Sequence, residues 1–155
     1  MERSYSEKLS SCIKSWFDAN EMHYSFDEER GVFKLTVNLK SSIQRCTVYV
    51  VTRDDAISAN GKISLNVPEA KRPAIAEFIT RINYTLIAGN FDLDYSDGEI
   101  SFRTYLHCCD TVPADDDLRH VIYAPFVIWE KYGDAFLNVV FANMDPQAAL
   151  QQLKD

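Results

Sequence analysis

Apolar and polar residues follow two different periods along this chain, and the change of period predicts a helix followed by a β-hairpin. Ahead of Gly89, apolar residues recur every three or four positions, as on one face of an α-helix: Ile75, Phe78, Ile79, Ile82, Leu86 and Ile87. Gly89 stands where a left-handed residue commonly ends a helix. From Phe91 onward the period becomes two, as in a half-buried strand. Asp97-Gly98 then predicts a two-residue hairpin turn, because both turn positions favour positive φ.

The segments before this helix predict a leading helix and an antiparallel meander. Ser4 and Glu7 have the spacing of a capping box, so we expect a helix from about residue 4 to 20, with Ser6 as the weaker cap. Alternating residues predict strands over about 23–27, 33–39 and 45–52. Asn60-Gly61 indicates a turn, and residues 62–67 a short extra strand.

The end of the chain predicts helices. Apolar residues at helical spacing run from Leu118 to Met144, and Pro125 inside them is expected to kink or split the helix. Strands and helices are partly segregated along the chain, which favours an α+β fold. We therefore predict about five antiparallel strands, in the order helix-β-β-β-helix-β-β-helix, with the helices packed against the sheet. No repeat or linker divides the chain, so residues 1–155 are expected to form one domain.

The net charge and the lengths of the apolar runs disfavour a nucleic-acid-binding protein and a membrane protein. The chain has 155 residues, a formal net charge of -7 and a pI of about 4.9. An acidic surface repels phosphates, so we expect no nucleic-acid partner. No apolar run approaches the roughly 18 residues that a membrane span requires, and the amino-terminal region lacks the apolar core of a secretory signal. We therefore expect a cytoplasmic protein with no membrane partner.

The sequence contains no motif for a cofactor, and we predict no catalytic, cofactor-binding or metal-binding residue. The four cysteines form no C-x-x-C pair, so reduced thiols are expected. One alternative stays open: a small hydrolase or metal-binding enzyme centred on His107, Cys108 and Asp110. Neighbouring residues on a strand point to opposite faces, which weighs against their convergence on one metal or substrate.

One face of the predicted sheet is more apolar than a plain solvent face. The residues that would form it are Val32, Thr47, Tyr49, Val51 and Tyr105. We consider them a possible dimer or partner surface. Helices of the same chain, a second copy of the chain, or a partner polypeptide could each cover this face.

The string INYTLIAGNFDLDYSDGEISFRTYL, residues 82–106, resembles the signature of the YbjN family. These are small bacterial proteins with a fold like the type III secretion chaperones. The residues that carry the resemblance are Asn83, Gly89, Phe91, Leu93, Asp97, Gly98, Ile100, Phe102 and Arg103. The resemblance implies a small cytosolic homodimer, without enzymatic activity, that binds another polypeptide or modulates a regulatory process. A dedicated type III secretion chaperone is the narrower alternative.

Overall fold

A six-stranded antiparallel sheet organises this computed structural model, which describes residues 4–154. Its strands are β1 (Ser25–Asp27), β2 (Val32–Asn38), β3 (Arg45–Thr52), β4 (Ala56–Lys62), β5 (Asn90–Leu93) and β6 (Ile100–His107). They lie in the order β1-β2-β3-β4-β6-β5, and every pair of neighbours is antiparallel. The helices are α1 (Glu7–Ala19), α2 (Arg72–Thr85), α3 (Asp115–Phe141) and α4 (Pro146–Gln151). The predicted α+β fold class is confirmed.

The sheet contains one strand more than the five we predicted, because β4 lies in its interior between β3 and β6. The turn predicted at Asn60-Gly61 is wrong, since both residues belong to β4, and the extra strand predicted over residues 62–67 is wrong beyond Lys62. A Cβ atom at Gly61 would lie 2.5 Å from the Pro125 Cβ on α3. This glycine therefore marks the close approach of a helix to the sheet rather than a turn.

The hydrophobic core lies between one face of the sheet and the helices. The sheet contributes buried residues that alternate along its strands: Phe33, Leu35, Val48, Val50, Ile57, Ala59, Ile100 and Phe102. From α1, Phe17 packs on Phe33 with ring centroids 5.5 Å apart. From α3, the fully buried Trp129 donates its indole N–H to the Gly61 carbonyl oxygen at 3.0 Å. Each such side chain contributes roughly 1.5–3 kcal/mol by burial, so these contacts fix the helices to this face.

Helix α3 runs without a break from Asp115 to Phe141, so of the predicted kink or split at Pro125 the split does not occur. Proline has no N–H to donate to the carbonyl four residues earlier, which is that of Val121. The buried Thr104 on β6 supplies the missing donor, since its hydroxyl donates to the Val121 carbonyl oxygen at 2.7 Å. The sheet thus stabilises the helix at the position where proline removes a hydrogen bond.

Two predicted element boundaries were also wrong. Helix α1 begins at Glu7 and its cap is Ser6, whose hydroxyl accepts from the Leu9 N–H at 3.1 Å, whereas Ser4 lies outside the helix. Helix α2 ends at Thr85, ahead of the predicted glycine stop, and leaves Ile87 fully exposed. A helix ends where its side chains cease to pack, which the periodicity alone did not reveal.

The connection between β5 and β6 is longer than the predicted two-residue turn. It spans residues 94–99, and the Asp94 N–H donates to the Glu99 carbonyl oxygen at 2.8 Å to close it. Of the pair Asp97-Gly98, only Gly98 has a positive φ, of 82°. Gly98 is buried against Val67, whose N–H donates to the Gly98 carbonyl oxygen at 2.7 Å. The loop is therefore built to pack against the segment ahead of α2, which requires more residues than a tight turn.

Candidate functional site

The five residues predicted as a partner surface lie together on one face of the sheet. Val32 on β2 is paired directly with Val51 on β3. The same row continues through Ser58 on β4 to Tyr105 on β6. Thr47 and Tyr49 alternate with core residues on β3, so they share this face with Val51. We name this surface the open face; by strand register it includes Asp27, Val32, Lys34, Thr36, Asn38, Arg45, Thr47, Tyr49, Val51, Ser58, Asn60, Lys62, Asp92, Ser101, Arg103, Tyr105 and His107.

The open face lies opposite the helices. The helices pack on the other face, whose residues form the buried core, so within residues 4–154 no helix covers the open face. Tyr105 is 62% exposed, and Val32, Thr47, Tyr49 and Val51 are half-buried among their neighbours in the sheet. These side chains are therefore available to a molecule that lies across the strands.

Tyr49 stands at the centre of the open face between two lysines. Lys34 is its direct neighbour on β2, and Lys62 lies on β4. Their ammonium nitrogens lie 5.9 Å and 5.7 Å from the centroid of the Tyr49 ring. A cation over an aromatic ring at an exposed site contributes about 0.5–1 kcal/mol, enough to favour this arrangement without fixing it. Sequence reasoning missed this cluster because Lys62 was not assigned to an interior strand.

Two ion pairs lie on the β5 side of the open face. Lys62 Nζ is 2.9 Å from Glu99 Oε1, and an Arg103 guanidinium nitrogen is 3.1 Å from Asp92 Oδ2. The four side chains are between 36% and 51% exposed, so water and salt weaken these pairs. Each pair contributes at most about 1 kcal/mol, and a charged ligand can replace either partner at low cost.

The charge of the open face differs in sign from that of the whole chain. A shallow depression of about 670 Å³ lies over it, and its charged lining residues are Asp27, Arg30, Lys34, Lys62, Asp92, Glu99 and Arg103. Four of these are cationic and three anionic, a balance of +1, whereas the chain as a whole carries -7. The sign differs because cations are enriched here: four of the 13 lining residues are Lys or Arg, against 16 of 155 in the whole chain.

The residues of the enzymatic alternative do not converge. His107 lies at the end of the open face, with its Nδ1 3.8 Å from Asp55 Oδ2, and both side chains are more than half exposed. Cys108 is buried, and burial, followed by the charge of nearby Cys12, raises the pKa of its thiol. A raised pKa makes the thiolate scarcer, the opposite of what a nucleophile requires. Asp110 meets Lys8 through its backbone carbonyl oxygen, at 3.5 Å.

The part of the chain that the structure describes contains no group of three His, Cys, Asp or Glu side chains placed to hold a metal ion. Within the same residues, no helix is both long and apolar enough to cross a membrane. Besides the open face, the described residues form an apolar groove.

The apolar groove was not foreseen from the sequence. It lies between α2, α3 and α4, has a volume of about 650 Å³, and is lined in part by Tyr84, Tyr132 and Leu150. Tyr84 is 92% exposed at its edge. The apolar stripe of α2 predicted the buried side of this helix, and only the packing of α4 beside it creates the groove.

These features define a class of α+β proteins in which helices cover one face of an antiparallel sheet and leave the other face uncovered. Residues 11–138 match the YbjN family, described as "Putative bacterial sensory transduction regulator". The chain therefore belongs to the YbjN family, and the resemblance found in the sequence is confirmed.

A solved structure supports the same fold. The chain is similar to the structure titled "Crystal structure of YbjN, a putative transcription regulator from E. coli", with a TM-score of 0.52 and 12% sequence identity. The alignment covers 94% of this chain and 89% of that chain. At this identity the likeness shows the fold alone. No curated protein sequence matches the chain.

Proposed function

We propose that this protein is a non-enzymatic regulator that acts by binding another polypeptide across the open face. The observation that carries the proposal is the asymmetry of the sheet: helices bury one face, and the other presents Tyr49, Tyr105 and the Val32–Val51 pair. The description of the YbjN family as a regulator of sensory transduction supports the same kind of function. A cytoplasmic homodimer is part of this proposal, and a dedicated secretion chaperone is its narrower form.

The composition of the open face suits recognition of a polypeptide. Tyrosines dominate binding energy at many interfaces because they bury a large area with few rotatable bonds. Tyr105 is mostly exposed and unrestrained by the core, so a partner that covers it gains about 25 cal/mol for each Å² of apolar surface removed from water. The half-buried Val32 and Val51 add an apolar contact in the same row, on the other side of Ser58. An extended segment laid over the strands would contact all of them at once.

Site-specific photo-crosslinking in the native bacterium tests this proposal. The photoreactive amino acid p-benzoylphenylalanine replaces Tyr49 or Tyr105, and Phe141 serves as the control position because it is 67% exposed on the helical side. We expect adducts with a different polypeptide from both sheet positions and none from the control. Absence of adducts from both sheet positions would contradict the proposal, and adducts only with a second copy would make the open face a dimer interface instead.

A further inference from the structure

The cations at the centre of the open face are only partly neutralised. Within residues 4–154 no acidic side chain forms an ion pair with Lys34 or Arg45. Among the described residues, Lys62 has one acidic partner, Glu99, whose side chain is 47% exposed. A ligand carboxylate can therefore meet Lys34 without displacing any group of the protein, and can compete for Lys62 at low cost.

A second copy of the chain does not suit this face. In a two-fold interface centred on Tyr49 the same patch meets itself, so the lysines on either side of its ring would face those of the other copy. Like charges placed opposite each other at an interface oppose association. The local charge therefore favours a different partner with negative charge.

A nucleic acid suits the face less well than a short acidic polypeptide. Its phosphates would continue beyond the patch onto the surface that carries the net charge of -7. A short segment stays within about one Debye length, roughly 8–10 Å, of the lysines and responds mainly to the local charge. Moreover, two ammonium groups already lie over the Tyr49 ring, which leaves less room for a base to stack.

We propose that the open face binds an acidic polypeptide segment, with a carboxylate at Lys34 and Lys62 and an apolar residue on Val32 and Val51. This inference rests on the proposed function and adds the chemistry of the partner. Tyr49 and Val51 are two residues apart on the same face of β3. That separation is roughly 6.5 Å, the same as between alternate side chains of an extended segment. The partner therefore carries acidic and apolar residues two positions apart.

Fluorescence anisotropy with the full-length protein tests the inference. The probes are a fluorescein-labelled peptide of repeating Glu-Ser-Leu-Ser, the same peptide with Lys in place of Glu, and a single-stranded oligo-dT of equal length. We expect the acidic peptide to bind best and its affinity to fall as salt is raised. The double variant Lys34→Glu/Lys62→Glu should weaken that binding by about tenfold or more, because it reverses both charges at the site.

The matched control is Lys8→Glu/Lys131→Glu, which makes the same change of net charge on exposed helical positions away from the open face. It should bind the acidic peptide nearly as well as the wild type does. If the double reversal fails to fold, Lys34→Gln/Lys62→Gln replaces it, with a smaller expected loss of affinity in the same direction.

Three results would overturn the inference: equal weakening by the control variant, preference for the lysine peptide or oligo-dT, or no binding of the acidic peptide by the wild type. Crosslinking at Tyr49 and Tyr105 separates these failures from failure of the proposed function. If adducts form there while the acidic peptide does not bind, the open face binds a partner of other chemistry. If no adducts form, the proposed function itself is wrong.

Discussion

The hydrogen bond between Thr104 and the Val121 carbonyl yields a sharp prediction about how this fold tolerates a proline inside its longest helix. The Thr104 hydroxyl is buried and donates at 2.7 Å to an oxygen that receives no helical N–H, because residue 125 is proline. Replacement of Thr104 by valine keeps the shape of the side chain and removes the donor. The Val121 carbonyl then remains buried without its partner.

The expected cost follows from the desolvation of that carbonyl. A buried acceptor left unsatisfied costs about 1–3 kcal/mol, so Thr104→Val should lower the free energy of unfolding by that amount. For a domain of this size each kcal/mol corresponds to roughly 2–4 °C in Tm. In a Pro125→Ala background the alanine N–H can donate to the same carbonyl, so the cost of Thr104→Val should fall by about 1 kcal/mol or more.

Urea unfolding followed by circular dichroism on the four proteins of this double-mutant cycle gives the coupling energy. Thr104→Ser is the matched control, because it retains the hydroxyl and loses only a methyl group, worth about 0.8 kcal/mol. The cycle also subtracts the stability that Pro125→Ala loses by itself, including its packing against Gly61. Equal costs of Thr104→Val with and without the proline would refute the reasoning, since the hydroxyl would then not be replacing the missing helical donor.

Three further predictions concern packing, pH and the open face. Gly61→Ala should destabilise the fold by about 1–3 kcal/mol in thermal melts, because its Cβ would lie 2.5 Å from Pro125 Cβ. Burial raises the pKa of Cys46 to about 12 from the ordinary 9.0, so above pH 9 the unfolded thiol ionises first. Cys46 should then lower the free energy of unfolding by up to about 1.4 kcal/mol per pH unit. The fall above pH 9 in urea titrations should therefore be less steep for Cys46→Ala, which retains the buried Cys108 thiol, than for the wild type. Tyr105→Asp should change stability by less than about 1 kcal/mol in the same assay yet abolish adducts from Tyr49; if it unfolds the protein, that face is internal.

The sequence revealed those elements whose own side chains show a period. The stripes of α1, α2 and α3 and the alternation in β2, β3 and β6 predicted the correct element types, because each element buries one side of itself. Element ends were less accurate, as at Ser6 and Thr85, because capping and packing decide them. The continuity of α3 through Pro125 could not be predicted for a related reason: the compensating donor, Thr104, lies on a strand that local sequence does not connect to the helix.

Strand β4 was missed, and the chemistry of the open face was missed with it. Apart from Ile57, the residues from Ala56 to Gly61 are small or polar and carry little strand propensity. They form a strand because β3 and β6 pair with them on both sides and α3 approaches closely. Alternation alone could group the five surface residues on one face. It could not show that the Lys62 ammonium lies next to the Tyr49 ring. Lys62 comes beside Tyr49 only when β4 is an interior strand, and Arg103 faces Asn60 for the same reason. Alternation along single strands therefore reveals the apolar residues of the open face together with Lys34 and Arg103. The position of Lys62 beside Tyr49, on which the inferred acidic partner depends, comes from the sheet order.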